Sequence, residues 1–100
     1  MIRVLKSKLT TKVTECRYDY EGSLTIDEEL AVLMNLCEYE EIFVHGTDSR
    51  IRTYVLYGEK GQIALNGNAS LLFDVGETVH VLAFRELPQH LAEYYKPKII

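Results

Sequence analysis

No stretch of the 100-residue chain approaches the ~20 apolar residues that a membrane-crossing helix needs, and its opening, Met1-Ile2-Arg3-Val4-Leu5-Lys6, lacks the apolar run of a secretory signal. The expectation is a cytoplasmic protein with no membrane contact. Basic charge is also short: 11 Lys and Arg stand against 15 Asp and Glu, a net charge of −4, and the basic residues are scattered. No segment is built to follow a phosphate backbone, so nucleic acid is not expected as a partner. Cysteine is scarce, and Cys16 and Cys37 lie far apart, outside any Cys-x-x-Cys or metal-ligand spacing. Both read as reduced core residues. His45, His80 and His90 are equally dispersed, which argues against a metal site. With two prolines and no linker, repeat or low-complexity run, residues 1–100 read as one domain.

Hydrophobic patterning supplies the elements. Residues 2–9 and 12–20 alternate as strands, the second with Thr14, Cys16, Tyr18 and Tyr20 on one face. After Gly22-Ser23 the period changes. Asp27 suits an N-cap, Glu28 and Glu29 suit the positive end of a helix dipole, and Leu30, Leu33, Met34 and Cys37 recur at helical spacing, predicting a helix of about three turns. Strands are expected again at 42–45, 50–57, 62–65 and 78–84, with Gly-containing turns between them. Pro88 should end the last strand, and Gln89 to Tyr95 suits a terminal helical turn. The fold class is therefore mainly β, a small barrel or sandwich with one or two short helices. A chain this short buries only about 60–70% of its unfolded surface, so a site that needs deep walls is expected to borrow them from another copy.

The Gly22-Ser23 step is the first place to look for chemistry. Placed at a junction of strand and helix, it leaves a carbonyl carbon open to attack by the serine hydroxyl. The amide then becomes an ester, elimination splits the chain, and hydrolysis of the resulting dehydroalanine leaves a pyruvoyl group. Gly-Ser is equally compatible with an ordinary turn, and the dipeptide alone does not decide.

The wider sequence bears on that choice. It resembles the aspartate 1-decarboxylase family at Met1-Ile2-Arg3 with Lys8-Leu9, at Tyr20-Glu21-Gly22-Ser23 with Ile26-Asp27, at Arg50 with Thr53-Tyr54, at Asn66-Gly67 with Ala69, and at Asp74-Val75-Gly76-Glu77. The resemblance implies a double-psi β-barrel assembled as a homotetramer with active sites between subunits. It implies self-cleavage into residues 1–22 and 23–100, with Ser23 becoming the covalent pyruvoyl cofactor and Gly22 the new carboxyl end. L-Aspartate is the implied substrate, β-alanine and CO2 the products, and pantothenate and coenzyme A synthesis the destination. A maturation factor serves some bacterial members. By the same resemblance Tyr54 matches the proton donor, Thr53 a substrate contact that assists cleavage, Gly67, Asn68 and Ala69 the substrate loop, Asn66 a supporting residue, and Lys8 and Arg50 basic positions near the substrate. Asn68 stands where alanine is expected, and Leu24 where a small residue is usual after the serine.

Chemistry read from the residues runs in the same direction. L-Aspartate carries two carboxylates, so a net-negative protein must place local positive charge around it. Arg50 can grip a carboxylate in two hydrogen bonds and Lys8 can add a point charge, although either is also consistent with a solvated surface cation. Loss of the α-carboxylate leaves a carbanion, and a ketone joined to the amine as a Schiff base withdraws those electrons. A tyrosine, with an ordinary pKa of about 10, holds a proton to deliver to that carbon; packing in the barrel is the other use for Tyr54. Asn66-Gly67 is also a type I′ hairpin signal between 63–65 and 71–73. A rival class is a non-catalytic double-psi barrel that acts as a binding module, and the Gly22-Ser23 bond separates the two, since only the enzyme must cut there.

Overall fold

The computed structural model describes residues 1–100. Eight strands alternate with little helix: β1 (Ile2–Lys12), β2 (Glu15–Arg17), β3 (Ser23–Asp27), α1 (Glu28–Leu33), β4 (Glu41–His45), β5 (Arg50–Gly58), β6 (Ile63–Asn66), a 3-10 helix (Gly67–Leu72), β7 (Thr78–Leu87), α2 (Gln89–Ala92) and β8 (Lys98–Ile99). The sheet order is β2-β6-β3-β5-β4-β7-β1-β8. Strands β1 and β2 stand near opposite ends of that order yet are joined through only Val13 and Thr14, so the sheet must curl until its ends meet. Val13 N–H donates to Glu77 O and its carbonyl accepts from Gly76 N, which extends the β1–β7 ladder, while Thr14 N–H donates to Ile63 O on the strand that pairs with β2. The Thr14 hydroxyl repeats that link, donating to Ile63 O at 3.0 Å and accepting from Ile63 N at 2.8 Å. Closing the sheet on itself removes most of its open edges, and the mainly β barrel expected from the patterning is what forms.

Alternate strand residues fill the barrel. Leu24 and Ile26 of β3, Val55 of β5, and Val79 and Val81 of β7 are fully buried members of one apolar cluster, which Ala31 and Met34 join. Strand β3 lies between β5, to which it runs parallel, and β6, to which it runs antiparallel. All five of its residues are buried. Ser23, Thr25 and Asp27 alternate with the two apolar residues and face away from the core.

Several expected boundaries move. The strand predicted over 12–20 stops at Arg17, because the chain turns at Tyr18-Asp19 and brings the Tyr20 ring to 4.0 Å from the Arg17 guanidinium. Ser23 does not sit at a strand-to-helix junction: it opens β3, and the helix begins only at Glu28. That helix runs six residues rather than three turns. Asn35 at φ 61° ends it, and Cys37 is exposed beyond it rather than buried in the core. Asn66-Gly67 makes no hairpin, since residues 67–72 form the 3-10 helix. Strand β8, pairing in parallel with β1, had no counterpart in the pattern.

Asp27 caps α1 as expected, its Oδ1 accepting from Glu29 N at 2.8 Å and Leu30 N at 3.3 Å. Its Oδ2 also accepts from Gly61 N at 2.7 Å, and that backbone bond, more than the two cap bonds, holds the carboxyl below its ordinary pKa. A folded-state pKa below the unfolded one adds stability that is full above the ordinary carboxylate range and is lost as pH falls through the lowered value. Asp27→Asn should therefore lower the urea midpoint at neutral pH, because an amide cannot accept at both places. Wild type and variant should converge as the solution is acidified through that range.

Candidate functional site

Ser23 and Asn66 are both 0% exposed, an unusual position for two uncharged polar side chains. Antiparallel pairing sets them opposite each other across β3 and β6. The Asn66 amide is fully used: Nδ2 donates to Ser23 Oγ at 2.9 Å and to Thr25 Oγ1 at 2.9 Å, while Oδ1 accepts from Arg17 Nε at 2.9 Å. Ser23 Oγ in turn donates to Glu21 O at 2.9 Å. Its hydroxyl therefore lies against the backbone of its own Glu21-Gly22-Ser23 segment, with one lone pair still uncommitted.

Gly67 is what allows this segment to lie so close to β6. It has φ +69°, and a Cβ there would stand 2.6 Å from Gly22 N, 2.7 Å from Gly22 Cα and 2.8 Å from Tyr20 O. The conformation and the contact each demand glycine. The Ser70 hydroxyl donates to Gly67 O at 2.7 Å and ties down the first turn of the 3-10 helix, which carries Asn68 exposed and Ala69 packed against the core.

Tyr54 and Thr53 reach the same region from β5. Leu24 pairs with Val55, so Ser23 and Tyr54 each stand one residue before that pair on neighbouring parallel strands. Glu21, Tyr39, Glu41, Arg52, Thr53 and Tyr54 line an open cleft of about 570 Å³. The cleft runs beside the Gly22-Ser23 step, and the Tyr39 ring, 6.3 Å from that of Tyr54, forms one wall.

Two predicted residues lie elsewhere. Arg50 shares the outward face of β5 with Tyr54, as the even spacing requires, but the two are four residues apart, about 13 Å along a strand. Arg50 lines a second hollow with Phe43, His45, Ile51 and Arg52, and only Arg52 is common to it and the Tyr54 cleft. Cross-strand pairing puts it in a row with His45, His80 and Thr10, and puts Lys8 in the next row with Leu82, Phe43 and Arg52. Burial, followed by the charges of Arg50 and His80, pushes the His45 pKa down, so its imidazole is neutral on this cationic face. Cys16 is half-buried, and burial, then Asp74 and Glu77, raises its pKa; the thiol donates to Phe73 O at 3.4 Å and stays protonated.

The network also contains residues that sequence reasoning passed over, Arg17 and Thr25. Arg17 Nη2 donates to Thr25 Oγ1 at 3.0 Å as well as gripping Asn66 through Nε. The alternation Ser23-Leu24-Thr25-Ile26-Asp27 was a usable signal, since period 2 places Thr25 on the face of Ser23. No local signal marks Arg17.

All 100 residues match the profile of the family described as Aspartate decarboxylase. The chain belongs to this family. Similar proteins include the Aspartate 1-decarboxylase of Caldicellulosiruptor saccharolyticus, 40% identical over all of this chain and 82% of its own length. That of Campylobacter jejuni is 37% identical over 99% of this chain and 82% of its own. That of Phocaeicola vulgatus is 36% identical over all of this chain and 90% of its own.

For a family member whose Gly22 backbone touches Gly67, the cost of a methyl group can be divided into strain and clash. Gly76, at φ +90° with nothing within 4 Å of a Cβ, supplies the strain alone. Gly76→Ala should cost about 1–3 kcal/mol of stability in denaturant titrations. Gly67→Ala should lose more, because the Gly22 segment must also move.

Proposed function

We propose that this chain decarboxylates L-aspartate to β-alanine and CO2, using a pyruvoyl group made from its own Ser23 after the Gly22-Ser23 bond is cut. Family membership carries the decarboxylase reading. The observation that favours self-cleavage is the buried Ser23 hydroxyl, held against its own segment by Asn66 beside the close contact of Gly67 with Gly22.

The proposed cleavage balances as follows. Ser23 Oγ bonds to the Gly22 carbonyl carbon, the Gly22 C–Ser23 N bond breaks, and the hydroxyl proton ends on the released amine. Loss of the Ser23 α-proton then expels the Gly22 carboxylate from Cβ, and water replaces the nitrogen as ammonia, leaving a ketone. The residues present suit an oxygen-bearing group at position 23, since Asn66 Nδ2 is a donor aimed there and no anionic side chain bonds to it. The group supplies a ketone that withdraws electrons while CO2 leaves. Tyr54, one strand over and facing the cleft, serves as the proton source, and Thr53 lines the cleft next to it. Gly67, Asn68 and Ala69 form the substrate loop, with Asn68 adding an exposed amide at its rim.

Within one chain neither Arg50 nor Lys8 lines the Tyr54 cleft. They act, under this reading, as carboxylate binders in a site completed by a second copy, as in a homotetramer with shared active sites. Under this reading the function lies in supplying β-alanine in the cytoplasm, with a maturation factor as an optional partner. The binding-module alternative requires the bond to stay whole.

Denaturing mass spectrometry should find residues 1–22 and 23–100 as separate pieces in active protein, the larger without a free amino group. Ser23→Ala should stay folded, uncut and inactive. An intact wild-type chain that still makes β-alanine would sink the pyruvoyl reading, and cleavage by the purified chain alone would dispense with the maturation factor.

Among self-cleaved variants, Tyr54→Phe should lose kcat, and Arg50→Ala should chiefly raise KM for aspartate. Mixed assemblies of inactive Ser23→Ala with Arg50→Ala chains should regain part of the wild-type affinity, because some sites then pair an intact Arg50 with an intact Ser23. Unchanged KM in the mixture would place Arg50 in the same subunit's site.

A further inference from the structure

We propose that Arg17 is a positioning residue for self-cleavage, because it dictates which end of the Asn66 amide faces Ser23. The role rests on the self-cleavage reading above and adds to it a residue that acts before any substrate is bound. Three bonds run in one direction: Arg17 Nε to Asn66 Oδ1, Asn66 Nδ2 to Ser23 Oγ, and Ser23 Oγ to Glu21 O, each at 2.9 Å. The direction is chemically enforced at both ends. A guanidinium only donates and a backbone carbonyl only accepts, so neither terminus can reverse.

The middle of the relay can reverse. A primary amide has nearly the same shape either way round, and the hydroxyls of Ser23 and Thr25 can donate as readily as accept. With Arg17 absent, Asn66 can turn its oxygen toward those two hydroxyls. The Ser23 proton would then point at Asn66 instead of Glu21 O, and Ser23 Oγ would lose the donor that fixes its orientation. With Arg17 present, that arrangement sets an N–H of Asn66 against the N–H of Arg17, which a buried site does not tolerate.

A second observation explains why Arg17 itself stays put. Its guanidinium lies 4.0 Å from the Tyr20 ring centre, and Nη2 donates to Thr25 Oγ1 at 3.0 Å, so the head group is held on three sides. Tyr20 O is also one of the atoms in contact range of Gly67, so the same stack ties the guanidinium to the segment that leads into Gly22.

The experiment follows cleavage of freshly made precursor by denaturing mass spectrometry in wild type, Arg17→Met, Arg17→Lys, Asn66→Ala and the double variants. Arg17→Met should cleave about tenfold or more slowly, the effect of losing one charge-assisted hydrogen bond, and Arg17→Lys should recover part of the rate. In the Asn66→Ala background neither change at Arg17 should slow cleavage further, since no amide remains to orient. A purely structural role would instead slow both backgrounds by the same factor, which overturns the proposal. So does an Arg17→Met precursor that cleaves at the wild-type rate. Should Arg17→Met fail to fold, the Arg17→Lys pair decides by the same comparison. A wild-type precursor that never cleaves would show no rate to compare, and would remove the self-cleavage reading itself.

Discussion

Asn66 has no contact with water, so its amide must find every partner inside the protein or lose the free energy of an unpaired polar group, about 1–3 kcal/mol for each. Arg17, Ser23 and Thr25 satisfy it completely. That single requirement couples three strands, since Arg17 is on β2, Ser23 and Thr25 on β3, and Asn66 on β6. The barrel brings the strands together, and the amide sets their polar faces in one arrangement. The hydroxyl to which chemistry is assigned is thus also part of what holds the fold in register.

Barrel closure at Val13-Thr14 is the second constraint. It forces β2 against β6 and so delivers Arg17 to Asn66 across a separation of 49 residues. Strands β5, β4, β7 and β1 continue the sheet beyond Ser23 and share one outer face. Lys8, Arg50, Arg52 and the two histidines collect there, on a face that also carries the perpendicular Phe43–Phe84 pair with ring centres 5.5 Å apart. A surface that mixes aromatic rings with cations suits contact with another chain better than water alone. The proposal of a site shared between two copies draws on this distribution of charge.

Much of this was legible from the residues in order. Alternation located the long strands, Asp27 and its following glutamates located the start of α1, and the Tyr20-Glu21-Gly22-Ser23 segment with Arg50, Thr53-Tyr54 and Asn66-Gly67 pointed to the family. Boundaries were read less well, because a pattern reports which residues prefer a face and not where a neighbour stops the chain. Tyr18 and Tyr20 continued the alternation of β2, but the chain turns at Tyr18-Asp19 and lays the Tyr20 ring over Arg17. Cys37 kept helical phase with Met34, but the left-handed turn at Asn35 had already ended the helix.

What the sequence by itself determined is the set of groups and their local spacing: a serine after a glycine, a tyrosine four residues beyond an arginine on one strand face, and an apolar period that calls for a small barrel or sandwich. These depend on neighbours a few residues away, where chain geometry is nearly fixed. Only the tertiary structure decided that Gly67 touches Gly22, that Arg17 rather than water satisfies Asn66, and that Arg50 stands apart from the Tyr54 cleft. Those outcomes depend on how far the sheet curls before its ends meet, a sum over every strand that no local pattern contains.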